Sequence, residues 1–442
     1  MKKLFSGLHS RNSRTTDSRS AAKSAEFFFP LIARCAACAL IASIAFADAV
    51  TDWNTIMRDA VRSEGAQHQA RYAAITHLAM YEAVNSITKG YQPYLTSIAA
   101  SPQASPESAA IAAAHHVLST YFPASKATFD AARLSSLAAI PDGPAKAAGI
   151  AVGEAAAAAI IAHRANDGAA TPVPYTPKNG VGYWQPTPPM FGAAVGANWG
   201  KVLPFGIARA DEFRPGPPPA LTSTAYRRDY REVKRMGDLY STARPDDRTD
   251  LARYMSMTSP TQIWNHLAVQ LSAAEGLTLP ENARAFALMN MAVADASIAL
   301  FEAKYFYEFW RPLTAIRAGD IDGNPRTEGN AGFTSLINAP AYPSYPSGFG
   351  SFSNAARYVL ERLFGRGRHS IALAPNPAVP NMNLEYKKLR HVTDDIDDAR
   401  VYGGIHFRFE QEEAEVQGER VARCILQRQL RPTCPGRCEV EQ

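Results

Sequence analysis

The chain has 442 residues, 46% of them hydrophobic, with 46 Lys and Arg against 41 Asp and Glu and a formal net charge of +5. The surplus is local: residues 1–47 hold seven basic and two acidic side chains, which leaves 39 of each sign in the rest. A near-neutral body argues against a nucleic-acid partner, and a chain of this length is expected to fold as two packed sub-domains.

The first 47 residues read as an export signal. Lys2, Lys3, Arg11, Arg14, Arg19 and Lys23 form a basic leader, Leu31 to Phe46 is apolar except for Arg34, and Ala45-Phe46-Ala47 suits cleavage after Ala47. A periplasmic or secreted location is the expectation. No later stretch holds about 18 uncharged apolar residues, so no integral membrane domain is expected. Cys35 and Cys38 lie in the signal; Cys424, Cys434 and Cys438 cluster near the C-terminus. An oxidising compartment predicts one disulfide among these three, with the pairing open.

Residues 48–220 open with Ala-rich amphipathic stretches that predict helices over 53–62, 67–86, 106–121 and 145–165. His115, His116 and His163 fall within them and read as core or surface histidines. Residues 171–220 then turn rich in Pro, Gly and aromatics, as a long ordered loop does. Tyr183, Trp184 and Trp199 in that region read as packing residues, with an entrance lining as the alternative. In residues 221–442 helices are predicted over 223–236, 247–257, 262–274, 281–310, 352–363 and 406–428, and Ile321-Asp322-Gly323-Asn324 reads as a turn. No β pattern stands out. The fold expected is all-α, two packed helical bundles joined by long Pro/Gly-rich loops.

Three stretches of the second bundle carry chemistry. Lys304 and Arg311, seven apart, are expected close to one face of a helix that Pro312 ends or bends. The loop Ala341–Asn354 contains Pro346-Ser347-Gly348-Phe349 ahead of a helix. It promises an exposed Ser347 hydroxyl and an open Gly348 N–H where helix N-termini favour anions. The third stretch runs from Ala399 and Arg400 through Gly403-Gly404 to His406 and Glu410. The glycine pair frees Arg400 and His406 from helical spacing. His406 and Glu410, four apart on an expected helix, allow the carboxylate to hold one imidazole nitrogen and free the other.

In this order the three stretches resemble the signature of vanadium-dependent haloperoxidases and type 2 phosphatidic acid phosphatases, K-x6-RP, PSGH and SR-x5-H-x3-D. Here they read Lys304-x6-Arg311-Pro312, Pro346-Ser347-Gly348-Phe349 and Ala399-Arg400-x5-His406-x3-Glu410. Asp52-Trp53-Asn54-Thr55 and the run from Thr76 to Asn85 are similar to the N-terminal half of soluble bacterial haloperoxidases. The resemblance thus covers most of the chain after the signal. It implies a vanadate or phosphate cage of Lys304, Arg311, Ser347, Gly348, Arg400 and His406, with His406 and Glu410 catalytic and His406 the vanadium ligand. Three positions depart from the signature. Ala399 replaces Ser, Glu410 replaces Asp, and Phe349 stands where the family has its acid–base histidine. His391 is the candidate substitute.

Three cations with hydroxyl and N–H donors suit a tetrahedral or trigonal-bipyramidal oxyanion. Three readings follow. One is an exported vanadate-dependent haloperoxidase-like enzyme that uses hydrogen peroxide on a halide or small organic substrate. Another is a soluble acid phosphatase that attacks a phosphate ester through a phosphohistidine. The third is a non-catalytic phosphate or vanadate binder.

Overall fold

The structure, a computed structural model, describes residues 48–95 and 98–433. The expected export signal, Cys434 and Cys438 lie outside the described residues, and Cys424 is a buried free thiol. The first half forms α1 (Ala49–Val61), α2 (Ala66–Thr88), α3 (Pro106–Tyr121), α4 (Lys126–Ala138) and α5 (Pro144–Arg164). The second forms α6 (Thr224–Met236), α7 (Asp246–Ser256), α8 (Pro260–Glu275), α9 (Leu279–Tyr307), α10 (Pro312–Arg317), α11 (Gly348–Phe364), α12 (Leu389–Tyr402) and α13 (Arg408–Arg428). Their starts follow local chemistry. Asp48, Ser105, Ser223, Ser259 and Ser347 each accept an N–H from the first turn that follows. Prolines open α3, α5, α8, α9 and α10, where no N–H is needed.

Every predicted helix is present with shifted ends, and α4, α10 and α12 are additional. Helix α10 has only six residues, and α12 carries Asp394, Asp395, Asp397 and Asp398, which are weak helix formers, so neither gives a strong periodic signal. One small sheet departs from the all-helical reading. Strands β1 (Ile371–Leu373) and β2 (Leu384–Tyr386) pair antiparallel, with Ala372 opposite Glu385. Three residues per strand are too few to show a period of two. The hairpin is pinned by Gln270, which accepts from the Ala372 N–H and donates to its carbonyl.

Helix α9 is the axis. It packs on α2 from the first half and on α11 and α13 from the second, and nearly all its side chains are buried. A helix covered on all sides loses its amphipathic stripe. Both α9 and α5 are long and apolar enough to cross a membrane by length and composition, which qualifies the membrane argument made from uncharged runs. Alanine raises their mean hydropathy even where charges interrupt. In α9 that apolar window is 94% buried inside the protein.

Two glycines let α5 lie against α3. A Cβ on Gly149 would stand 2.3 Å from the Ser105 carbonyl oxygen, and one on Gly153 would stand 2.2 Å from that of Ala109. The segment from 165 to 223 has no α-helix, as its composition predicts, yet it is tied to α9 at several points. Buried Asp295 accepts the N–H groups of Phe205, Gly206 and Ile207 at 2.6–2.8 Å. The Trp199 indole donates to Ser297 Oγ, and Arg214 pairs with Glu302. Trp184 and Trp199 are buried, so they pack and line no entrance; Tyr183 is part-exposed. The Ile321–Asn324 turn is closed by Asp322, which accepts the Asn324 N–H at 2.8 Å.

Gly153→Ala tests the close approach. Alanine gains about 1 kcal/mol of helix propensity over glycine, but overpacking costs about 1–3 kcal/mol. With a carbonyl oxygen at 2.2 Å, the expected result is net destabilisation, read as a lower urea midpoint.

Candidate functional site

The loop before α11 is held from inside by Lys304. Its Nζ is buried and donates to the carbonyls of Pro343, Ser344 and Pro346 at 2.9, 2.7 and 2.6 Å. Burial, reinforced by Arg311, pushes its pKa well below the ordinary value. Three acceptors require three N–H groups, however, so the geometry describes an ammonium. Arg311 does not share a helix with Lys304. Helix α9 stops at Tyr307, Glu308 takes a left-handed φ of 51°, and Arg311 sits in extended backbone ahead of α10. The helical-face expectation is corrected here, since a residue before proline is driven out of the α region. A tight turn brings the two cations together instead.

Arg311 is fully buried. It donates from Nε to the Tyr342 carbonyl at 3.1 Å and from one terminal nitrogen to the Ile405 carbonyl at 3.0 Å, and that nitrogen lies 3.2 Å from His406 Nε2. Its other terminal nitrogen is buried with no partner. Arg400, in the last turn of α12, has Nε and one terminal nitrogen buried without partners, and its guanidinium lies 5.1 Å from the centre of the Phe349 ring. Burial pushes the Arg400 pKa down to about 10, against an opposing influence from Tyr342. The guanidinium remains charged at neutral pH.

Gly404 makes the turn from Arg400 to His406 possible. Its φ is +79°, and a Cβ there would stand 2.4 Å from the Gly237 carbonyl oxygen. His406 lies before α13, not within it, because the helix begins at Arg408. Its partner Glu410 is in the first turn. Glu410 Oε2 sits 2.5 Å from His406 Nδ1 and accepts from the Phe407 N–H at 3.1 Å and from Ser344 Oγ at 2.9 Å. The longer glutamate arm therefore reaches the imidazole through a capping geometry and not through a helical i, i+4 contact. Burial, with the charges of Arg311, Lys304 and Arg400, pushes His406 well below its usual pKa. The ring is neutral, Nδ1–H points at the carboxylate, and Nε2 keeps its lone pair on the cationic side.

Ser347 is not exposed as expected. It is fully buried as the N-cap of α11, its N–H donates to the Glu410 carbonyl at 3.0 Å, and its Oγ accepts from the Gly350 N–H at 3.4 Å. Gly348 is the first helical residue, so its N–H belongs to the open first turn. Phe349 follows, half-buried under Arg400, and has no proton to give. His391 is exposed on the first turn of α12, apart from the buried cage. His115 pairs with Asp130, and no metal-binding group of three or more His, Cys, Asp or Glu occurs among the described residues. Beneath the cage lies a buried aromatic layer that includes Tyr226, Phe309, Trp310, Tyr345, Phe407 and Phe409.

Two site residues escaped the motif reading. Ser344 orients Glu410, and the Tyr342 ring lies 5.1 Å from both the Lys304 ammonium and the Arg311 guanidinium. Both lie in the loop that the motif marked out, and an aromatic among three cations was the available signal. A hollow of about 450 Å³ beside α10, lined by residues such as Gln185, Pro188, Leu313 and Arg317, contains none of the cage side chains.

The cage thus sets three cations against one carboxylate and leaves three guanidinium nitrogens buried without partners. Unpaired buried charge costs several kcal/mol. The donor set suits an oxyanion such as vanadate or phosphate, with Arg311, Arg400 and the start of α11 turned to it.

Residues 284–433 match the VCPO second helical-bundle domain. The vanadium chloroperoxidase of Curvularia inaequalis is 33% identical over 119 residues, which span 23% of this chain and 19% of that protein. The chain therefore matches only about a fifth of that curated relative. A bacterial vanadium-dependent iodoperoxidase superposes with a TM-score of 0.74 at 23% identity, covering 87% of this chain and 96% of the other. An apo-type bacterial vanadium-dependent chloroperoxidase gives 0.68 at 17% identity, covering 82% and 94%. The holo-type form gives 0.67 at 17%, covering 87% and 93%.

The fold is that of the helical haloperoxidases. Residues 284–433 resemble the second helical bundle of those proteins, and the chain carries Phe349 after Pro346-Ser347-Gly348.

Glu410→Gln tests the carboxylate–imidazole pair. Orthovanadate affinity, measured by calorimetry, is expected to fall about 10–100-fold, the usual cost of losing such an orienting partner. The pH dependence follows from the His406 shift. A histidine with a depressed pKa stays neutral as pH falls, so phosphate affinity, corrected for phosphate's own ionisation, should show no break near pH ~6.5 that depends on His406; burial raises the Glu410 carboxyl to about 7, and a break from that group should persist in His406→Ala. A break there that vanishes in His406→Ala would contradict the buried neutral imidazole.

Proposed function

We propose that this chain is an exported vanadate-dependent haloperoxidase-like enzyme that oxidises a halide or a small organic substrate with hydrogen peroxide. The observation that carries the reading is the set of buried, unpartnered guanidinium nitrogens on Arg311 and Arg400. They stand with His406, whose Nε2 lies 3.2 Å from the other terminal nitrogen of Arg311 and whose pKa is pushed well down by burial. Bound vanadate supplies Lewis-acid polarisation of peroxide. Arg311 and Arg400 would hold its oxygens, with the Gly348 N–H and the Ser347 hydroxyl as neutral donors. His406 Nε2 would be its protein ligand, with Glu410 keeping that imidazole in the tautomer with the proton on Nδ1. Lys304 acts from behind, fixing the loop through three carbonyls while adding its charge. The aromatic layer keeps water from the His406–Glu410 pair, which strengthens each of these contacts.

The same cage suits the phosphoryl group of an ester, and His406 Nε2 is placed as a nucleophile toward it. Phe349 weighs against that second reading. A histidine that protonates the leaving alkoxide is worth about 10²–10⁴-fold in rate, and phenylalanine has none to give. Turnover of ordinary phosphate esters is therefore expected to be poor. Hydrogen peroxide and halide are the partners proposed here, and the periplasm or the extracellular space is the proposed location.

The deciding experiment uses the chain stripped of phosphate. Orthovanadate is titrated by calorimetry, and the loaded protein is assayed with peroxide and iodide, bromide or chloride. Binding with halide oxidation is expected. Binding without oxidation but with p-nitrophenyl phosphate turnover would replace the peroxidase reading with the phosphatase. Binding with neither activity would leave an oxyanion binder. Arg400→Ala is expected to weaken vanadate about 10-fold or more, since charged hydrogen bonds contribute about 1.5–3 kcal/mol each.

A further inference from the structure

We propose that the Tyr342 phenol is the proton-donating group of the oxyanion site, in place of the one that Phe349 lacks. The proposal rests on the oxyanion reading above and assigns a role within it. The Tyr342 backbone is locked: its carbonyl accepts from Arg311 Nε at 3.1 Å, and its N–H donates to Pro340 at 2.9 Å. The ring is held edge-on to Phe301 at 5.3 Å, within 5.1 Å of both Lys304 and Arg311. The hydroxyl is thereby carried to the start of α11. A methyl group built on Gly348 would stand 3.9 Å from the Tyr342 oxygen. Gly348 is the first residue of α11, so the phenol lies beside the helix end at which the proposed oxyanion would bind.

The charges around it fit proton transfer. After burial, the Tyr342 oxygen is the largest influence on both Arg311 and Arg400, and it favours the charged form of each. The other charged and titratable groups facing the site are Lys304 and Tyr305 from α9, and His406 and Glu410 from the start of α13. Lys304, Tyr305 and His406 are already committed, the Tyr305 hydroxyl donating to the Val195 carbonyl at 2.6 Å. Lys304 has all three protons on loop carbonyls, and the His406 Nδ1 proton is held by Glu410. Tyr342 is also part-exposed, whereas Lys304, Arg311 and Ser347 are fully buried. It stands between the cage and solvent. The step is a simple transfer: the phenolic O–H bond breaks, the proton goes to an oxygen of the bound oxyanion or its ester, and the phenolate oxygen regains a proton from solvent water.

The test compares the full chain with Tyr342→Phe, which keeps the ring over both cations and removes only the hydroxyl. Inorganic phosphate and orthovanadate are titrated by calorimetry across pH in two buffers of different ionisation enthalpy, which counts protons exchanged on binding. The variant is expected to bind phosphate about 10-fold more weakly, the size of one hydrogen bond to a charged group. It should also lose a proton-exchange step that the parent chain shows. In Tyr342→Phe combined with Phe349→His, the imidazole is expected to restore a proton-exchange step. Equal affinity and equal proton exchange in the parent chain and Tyr342→Phe would overturn the proposal. Failure of the parent chain to bind either anion would overturn the oxyanion reading, and the Tyr342 proposal with it. A thermal melt of Tyr342→Phe matching the parent separates these effects from misfolding.

Discussion

Three cations buried within one small volume, with a single carboxylate to offset them, is the constraint on which this structure depends. Lys304, Arg311 and Arg400 repel one another, and each is lowered in pKa by burial first. The fold answers with backbone oxygen. Lys304 is coordinated by three carbonyls of the loop before α11, and Arg311 by those of Tyr342 and Ile405. What the carbonyls do not reach remains as buried N–H groups on Arg311 and Arg400, and on these the proposed anion site rests. Stability of the loop and affinity for an oxyanion are therefore two sides of one electrostatic problem.

The rest of the architecture brings these cations to one place. Helix α9 carries Lys304 at its end, and its capping box and proline give it a fixed start. Packing against α2, α11 and α13 holds it on all sides. The long segment between the two halves is stitched to α9 by Asp295, Ser297 and Glu302, so it covers the bundle as structure. At the far side, Gly404 turns the chain sharply enough for Arg400 and His406 to face the same point from separate elements.

His406 and Glu410 show how one substitution can be absorbed. Glutamate for aspartate lengthens the arm, and the structure uses the extra reach by placing Glu410 in the first turn of α13 and His406 ahead of it. One carboxylate oxygen then serves the imidazole, the Phe407 N–H and the Ser344 hydroxyl together. Phe349 is absorbed differently. Its ring becomes a wall for Arg400, which preserves packing and charge but not proton chemistry.

Much of this was legible from residue order alone. Apolar periodicity marked most of the helices, because it is a local effect within a few residues. The cage residues were legible as types at a spacing: Lys304 and Arg311, Ser347 and Gly348, Arg400 and His406. The long Pro-rich loop was legible from composition. The tertiary structure alone decided how the cage works. It ended α9 at Tyr307, so that a turn and not a helical face joins Lys304 to Arg311. It buried Ser347, directed all three Lys304 protons into carbonyls, and brought Ser344 and Tyr342 into the site. The reason is physical. Periodicity reports which face of an element is apolar, whereas hydrogen-bond partners tens of residues apart depend on where backbones cross and how each carbonyl points. Only the packed chain sets those directions.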